Sequence, residues 1–342
     1  MIENDQLNDR RSSIGVGLLG CGVVGGGVAH RILTGPRLRG VDVKIHRVLV
    51  RDLKKDRFPA DVRPLLTDDA SRILSDPNID VVVECMGGIA PTLAYTEVAL
   101  RAGKHVITAN KTLVASYGSR LTELSNSRAV FFRYEAAVGA ATPVVRTVRS
   151  IAGADEIHEV GGILNGTTNY ILTKLEKGAT YLEALEAAQS EGFAEADPSN
   201  DVDGADAAQK LTILVAAAFG MWLPWESIPR RGIRDVGPDD IALARRLGCR
   251  LKLVATARRT PGGAVVASVA PTYIPADHPF AAPQGVENIV RIDARHAGPI
   301  IVGGLGAGRS ATASAIISDL ADIADAQRSA YSSAAITYTH PA

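Results

Sequence analysis

Residues 14–33 read Ile-Gly-Val-Gly-Leu-Leu-Gly-Cys-Gly-Val-Val-Gly-Gly-Gly-Val-Ala-His-Arg-Ile-Leu. Ile14 to Leu19 is an apolar run with the length of a buried strand. Gly20-Cys21-Gly22-Val23-Val24-Gly25 follows, and Val28, Ala29, Ile32 and Leu33 then have helical character. Gly-x-Gly-x-x-Gly between a strand and a helix is the context that a dinucleotide fingerprint requires. Gly20 permits the tight turn, Gly22 lets backbone approach a pyrophosphate, and Gly25 lets the helix pack on the strand. The phosphates then rest on helix amides at the positive end of the dipole. The motif alone is weak, because a glycine-rich turn has the same letters. The strand-turn-helix context moves the reading to a cofactor.

Outward from this stretch the same rhythm continues. Val41 to Val50 is the next strand, and an acidic residue at its end binds ribose hydroxyls in NAD enzymes. Here Arg51 comes first, then Asp52, with Lys54 and Lys55 close behind. Arginine suits a 2′-phosphate, so the expected cofactor is NADP(H). Asp52 leaves NAD(H) open as a second one, and an ordinary charged turn is the alternative. Ile79 to Cys85 is a buried strand ending in the turn Met86-Gly87-Gly88, and Pro91 starts a helix to about Arg101. His105 to Thr108 is a further strand, followed by Ala109-Asn110-Lys111, and Ala129 to Tyr134 adds another. Lys111 thus falls at the carboxyl end of a parallel strand, where open α/β sheets bind ligands, although an exposed loop lysine is the commoner case. This alternation predicts an α/β protein with a doubly wound parallel sheet in its amino-terminal half.

Composition narrows the class. The chain has 342 residues, 46% of them apolar, enough for one large or two ordinary domains. Lys plus Arg and Asp plus Glu are balanced at 37 each, so no basic excess argues for nucleic acid. Cys21, Cys85 and Cys249 form neither a disulfide framework nor a CxxC pair, which fits a reducing cytoplasm. Residues 1–12 are polar and do not read as a signal peptide. No apolar run reaches the ~20 residues of a membrane span. The histidines are scattered and no Gly-x-Ser-x-Gly elbow occurs, so neither catalytic zinc nor a serine nucleophile is expected.

After Glu135 the pattern changes. Glu135 to Pro143 is small-residue turn chemistry, with a helix from Pro143 to Ser150 and a strand from Glu156 to Leu164. Asn165-Gly166-Thr167-Thr168-Asn169-Tyr170 then caps a helix to about Glu176. Such a turn offers amides and hydroxyls to an anion, a substrate carboxylate included, although simple capping is the commoner use. Pro224, Pro229, Gly237 and Pro238 punctuate a loop region, and Trp222 and Trp225 suit a core or an interface. Strand-like runs at 251–257, 264–273, 286–292 and 299–302 predict an α+β unit with a mixed sheet and helices on one side. The run Gly303 to Gly308, either a close backbone approach to the cofactor or only a flexible connection, leads to a helix from about Ala311 to Arg328, and the final fourteen residues read as a tail. The expected division is a cofactor domain at 1–140, a substrate and dimerisation domain at 141–305, and a helix at 306–342 returning to the cofactor domain.

Residues 191–210 read Glu-Gly-Phe-Ala-Glu-Ala-Asp-Pro-Ser-Asn-Asp-Val-Asp-Gly-Ala-Asp-Ala-Ala-Gln-Lys. Pro198 and Ser199-Asn200 break any helix in the first part. From Gly204 a buried helix runs to about Phe219, with Asp206 and Lys210 four apart on one face. A solvated acidic loop is one reading. An EF-hand is another, but it would put Lys210 where a bidentate Glu must ligate, and a cation cannot. The third is a site for a small amino-acid substrate, with carboxylates for its ammonium and Lys210 for a proton at a carbonyl oxygen. The fingerprint elsewhere decides for the third.

Thr108-Ala109-Asn110-Lys111, Gly161 to Leu172, Gly192 to Pro198, Asp201 to Lys210 and Gly306-Ala307-Gly308 stand in an order that closely resembles homoserine dehydrogenase, over roughly residues 14–325. The resemblance implies NAD(P)H-dependent, reversible reduction of L-aspartate 4-semialdehyde to L-homoserine, on the route to threonine and methionine. It makes Lys210 the catalytic lysine and Lys111 a second lysine serving cofactor and catalysis. It makes Glu195 and Asp206 substrate-binding, with Thr167 beside them. Val24, Gly25, Gly87, Gly192, Glu195 and Gly308 join Gly20, Gly22 and Arg51 as cofactor positions. Glu135, Val138, Ala140 and Thr142 match a sodium site built largely from carbonyls, with Ala140-Ala141-Thr142 where the family usually has glycines and a bulkier apolar residue. A homodimer is implied. The regulatory domain that often follows is not expected, nor inhibition by threonine through it.

Rival readings are another Rossmann dehydrogenase acting on sugars or amino acids, an aldehyde-oxidising enzyme with a cysteine nucleophile, and a non-catalytic NADPH sensor. Cys21 and Cys85 have no evident histidine partner. A sensor has no reason to keep Glu195, Asp206 and Lys210 together.

Overall fold

The computed structural model describes residues 13–336, with side chains as far as Arg328. The reading of residues 1–12 lies outside this range. Of the described residues, those up to Leu113, Ser119–Ala136 and those from Thr312 onward form one compact unit; Val114–Gly118 and Ala137–Ala311 form a second.

The first unit is a seven-stranded sheet. Its strands are β1 (Ser13–Leu19), β2 (Arg37–Leu38), β3 (Val41–Leu49), β4 (Leu66–Thr67), β5 (Val81–Glu84), β6 (His105–Thr108) and β7 (Phe132–Arg133). The order is β2-β3-β1-β5-β6-β7, with β4 also on β3, and every pairing but β2–β3 is parallel. The order reverses at β1, which makes its carboxyl end the switch point of a doubly wound sheet. β1 and β5 are buried almost throughout, which is why they read as continuous apolar runs rather than alternating ones. Helix α1 (Val23–Thr34) follows β1 directly. Short α2 (Ser71–Leu74), α3 (Thr92–Arg101) and α4 (Lys111–Ser127) come next. The sequence reading did not single out α4; Asn110 caps it, accepting from Leu113 N at 3.1 Å.

The last helix, α11 (Arg309–Ile336), belongs to this sheet's core. Ala313, Ile316, Leu320 and Ile323 repeat at helical spacing and share one apolar cluster with Ile14, Val16, Leu18, Val28 and Ile32. Each buried Ile or Leu contributes about 1.5–3 kcal/mol. The helix runs through Ile336, into the stretch expected to be a tail, and residues 337–342 lie outside the described range.

The second unit has α5 (Val144–Ala152), β8 (Ile157–Ile163), α6 (Gly166–Glu176), α7 (Tyr181–Ser190), α8 (Ser199–Val202), α9 (Ala205–Phe219) and α10 (Pro238–Arg246). Strands β9 (Cys249–Arg259), β10 (Val265–Pro275), β11 (Glu287–Ala294) and β12 (Gly298–Leu305) complete it. The sheet order is β10-β9-β8-β11-β12, and each of these pairings is antiparallel rather than mixed. The reason is local: β9–β10 and β11–β12 are hairpins, and β8 enters between them against the run of both neighbours. Val160, Ala257, Val290 and Ile292 are buried, while Glu159, Thr256, Ser268 and Arg291 are at least partly exposed. That alternation marks one covered and one open face. Helix α9 packs on β8 and β9.

Three local expectations change. Ser199–Val202 forms one helical turn, because Pro198 precedes it and a proline breaks only what lies before it. Gly237-Pro238 opens a helix instead of a loop: Pro238 is its first residue, and Asp240 accepts from Gly237 N at 2.9 Å. Gly303 and Gly304 are ladder residues of β12, opposite Ile289 and Asn288, rather than a loose connection. Helix α7 was not foreseen, although Thr180 and Glu183 form a full capping box at its start.

Candidate active site

In the first unit, the fingerprint residues form a cradle. Gly20 has φ +98°, and a Cβ there would lie 2.9 Å from Cys85 O. Gly22 is the N-cap of α1; no side chain caps the helix, and nothing lies within 4 Å of a Cβ built on it. Val23, the first residue of α1, is 60% exposed, so the uncapped start of the helix is open, as an anion site requires. These features fit a dinucleotide pyrophosphate. Arg51 stands exposed just past β3, while Asp52 accepts from Lys54 N at 2.8 Å, closing its own turn. Arg57 reaches over the loop, donating to Cys21 O (3.4 Å) and Asp52 O (3.1 Å).

At the next strand ends, Gly87 has φ +75° in the turn after β5. Lys111 is half-buried as the first residue of α4, not in a loop. Glu84, the last residue of β5, is completely buried. It accepts from Met86 N (2.6 Å), Gly87 N (3.1 Å) and the Thr108 hydroxyl (2.5 Å). Burial pushes its carboxyl up, and these donors together with Asn110 pull it back.

In the second unit, β8 ends at Ile163 and α6 starts at Gly166. Between them Asn165 caps the helix, accepting from Thr168 N at 2.8 Å. Its amide nitrogen donates to Asp201 Oδ1 (2.6 Å) and Asp206 Oδ2 (2.8 Å). Lys210, one turn along α9, lies 2.9 Å from that same Asp206 oxygen and donates to Leu164 O at 2.8 Å. Asn288 also donates to Leu164 O, at 3.3 Å. Asp206 is 1% exposed and Lys210 8%, so this ion pair sits in low dielectric. A buried pair persists only where further hydrogen bonds satisfy it, and Asn165 and Leu164 supply them. An ammonium has three N–H donors. Two have partners among the described residues, Asp206 and Leu164 O, and the third has none there.

The loop after α7 is lashed to α6. The Thr167 hydroxyl donates to Phe193 O (2.6 Å), and Tyr170 donates to Glu191 (2.5 Å). Thr167 thus spends its proton on the loop that carries Gly192 and Glu195. Gly192 has φ +75° and is exposed. Glu195 is exposed too; no hydrogen bond or ion pair among the described residues joins its carboxylate to the Lys210 cluster. Gly308 is exposed with φ +122°. Val138, Ala140 and Thr142 lie in one tight loop, where Thr142 N donates to Gly139 O at 2.9 Å and Ala140 takes φ +49°. Glu135, in the first unit, is buried, and its backbone amide donates to Asp319 at 3.0 Å.

Asn165 as a bridge between two carboxylates, Asn288 and Glu84 were missed as site residues. Only Glu84 carried a local signal, a charge closing the apolar run Val81-Val82-Val83. The contacts of Asn165 with Asp201 and Asp206 span 36 and 41 residues.

Comparison with known proteins agrees with both halves. The family model described as homoserine dehydrogenase matches residues 143–321, and that of the homoserine dehydrogenase NAD-binding domain matches residues 20–135. A homoserine dehydrogenase of Synechocystis sp. is 42% identical over 320 residues, covering 91% of this chain and 73% of that protein. The crystal structure of a homoserine dehydrogenase from Thiobacillus denitrificans superposes with a TM-score of 0.85 at 37% identity, over 91% of this chain and 73% of that one. A hyperthermophilic archaeal homoserine dehydrogenase in complex with NADPH has a TM-score of 0.77 at 26% identity, over 90% and 96%. The chain accordingly belongs to the homoserine dehydrogenase family, oxidoreductases that reduce L-aspartate 4-semialdehyde to L-homoserine with NAD(P)H.

Proposed function

We propose that Lys210 is the acid that serves the substrate oxygen in this reaction. What carries the reading is its anchoring: Asp206 and Leu164 O hold the ammonium and leave one N–H undirected. The nicotinamide, when bound, supplies or takes the hydride at the aldehyde carbon. Lys210 gives a proton, or positive charge, to the alkoxide that forms there, and takes the proton back in the oxidation of homoserine. Asp206 keeps the lysine oriented and Asn165 keeps Asp206 oriented. Glu195 grips the substrate ammonium, and Thr167 acts by holding its loop. Lys111 is the second lysine, serving the cofactor end.

NADP(H) is the preferred cofactor in this reading, with NAD(H) as a second one. Arg51 is exposed at the end of β3, while Asp52 is drawn into its own turn. Gly20, Gly22, Val24, Gly25 and Gly87 in the first unit, and Gly192 and Gly308 in the second, are the remaining cofactor positions of this reading. A sodium ion is proposed on the loop of Val138, Ala140 and Thr142 together with Glu135; the buried Thr142 hydroxyl makes no hydrogen bond among the described residues. The open face of the second sheet suits a homodimer, since Val266 stands 43% exposed on β10 and Ile301 46% exposed opposite Arg291. Three free cysteines favour a cytoplasmic enzyme. Among the described residues, no helix is long and apolar enough to cross a membrane.

The test is to supply L-homoserine and follow reduction of NADP and of NAD separately at 340 nm. Turnover with both, faster with NADP, is the expected result. A faster rate with NAD removes the argument from Arg51, and sedimentation as a monomer removes the dimer.

A further inference from the structure

Glu84 is a buried carboxylate that the proposed chemistry does not use, and it ties together two loops at neighbouring strand ends. Through Oε1 it holds the amides of Met86 and Gly87, and so the turn after β5. Through Oε2 it holds the hydroxyl of Thr108, the last residue of β6. Thr108 Oγ1 in turn accepts from Asn110 N at 2.9 Å, so its proton can only point to Glu84. Asn110 closes the ring, donating from Nδ2 to Gly88 O at 2.6 Å and capping the helix that begins with Lys111. The carboxylate also reaches the fingerprint indirectly, because the turn it shapes presses Cys85 O against Gly20.

Such an arrangement is costly for stability alone. A buried carboxylate needs every one of its oxygens satisfied, and no cation neutralises this one among its described contacts. The return is geometric. Two separate backbone segments at the switch-point side of the sheet are held by one group, where open parallel sheets receive their ligands. We propose that Glu84 is a positioning residue for the nicotinamide cofactor, fixing the Met86–Gly88 turn and the Asn110–Lys111 helix start in the shape that receives it. It touches no reacting atom.

The experiment compares the full-length enzyme with Glu84→Gln, Thr108→Val and the double variant. It measures KM for NADP and for L-homoserine, Kd for NADPH by fluorescence titration, and thermal midpoint. Gln keeps an oxygen for the two amides but turns an N–H2 group towards Thr108. Glu84→Gln should raise KM for NADP and Kd for NADPH by about tenfold, with KM for L-homoserine within about twofold. Thr108→Val should move the same two constants less. The double variant should be no worse than Glu84→Gln, because Thr108 acts through Glu84. A lower melting point with unchanged cofactor constants overturns the proposal, as does an equal rise in both KM values. Should Glu84→Gln not fold, Thr108→Val decides by the same criterion.

Discussion

The Lys210 ammonium lies 2.9 Å from the Asp206 carboxylate, one turn away on the same buried helix, and a main-chain carbonyl at Leu164 holds it from the other side. A lysine so fixed has little freedom, and its remaining donor has one direction to point.

On the proposed reading of Lys210 as the acid, Lys210→Ala removes the donor to the developing alkoxide. Steady-state rates with saturating NADP should show kcat lowered by about 10²–10⁴, with KM for L-homoserine changed far less. Near-normal turnover takes Lys210 out of the role.

Asn165→Ala takes away a helix cap and two hydrogen bonds to carboxylates at once. Chemical denaturation should show a loss of roughly 2–4 kcal/mol. Asn165→Asp should be worse for activity although it preserves the cap, since it sets a third carboxylate against Asp201 and Asp206. Wild-type activity in both variants would show that the amide's bridge to the carboxylates is dispensable.

Lys252 is fully buried on β9, donating to Asn169 Oδ1 (2.9 Å) and Pro283 O (2.7 Å). Burial pushes it down from 10.5 to about 8, against an upward pull from Glu176. The unfolded chain then binds the extra proton between about pH 8 and 10.5, so this group's contribution to stability rises with pH across that window. Below it, Lys252 costs the fold up to about 3 kcal/mol. Unfolding free energies of the wild type minus those of Lys252→Met should carry that upward slope between pH 8 and 10.5. A flat difference contradicts the assignment.

Ala140 has φ +49°, in the left-handed region that costs an L-residue about 1–2 kcal/mol. Ala140→Gly relieves the strain but frees the unfolded chain, leaving a net gain of about 0.5–1 kcal/mol. The melting temperature should rise by a few degrees. A fall would mean that the alanine methyl packs more usefully than the strain harms.

Much of this molecule was legible in its sequence because the signals were local. The strand-glycine-helix stretch at 14–33 named its own fold, and the four-residue spacing of Asp206 and Lys210 put them on one face. What escaped was set by distance along the chain or by ambiguous letters. Nothing near Asn165 announces that its amide meets carboxylates from α8 and α9. Lys252 stands between Leu251 and Leu253, where alternation argues for water, yet it is buried because α6 and the Pro283 carbonyl give its ammonium partners. Gly237-Pro238 spells a turn as readily as a helix start, and only Asp240 reaching back to the Gly237 amide decides between them.

The return of α11 to the first sheet has a consequence for how the protein is made. Strands β1 to β7 leave the ribosome first, but the face that Ile14, Val16 and Leu18 share with Ile316, Leu320 and Ile323 stays open until α11 is synthesised. The unit begun earliest is thus completed after the intervening one, which can close around β8 to β12 in the meantime. A nascent chain stalled before residue 312 would present a bare hydrophobic sheet to whatever chaperone is at hand.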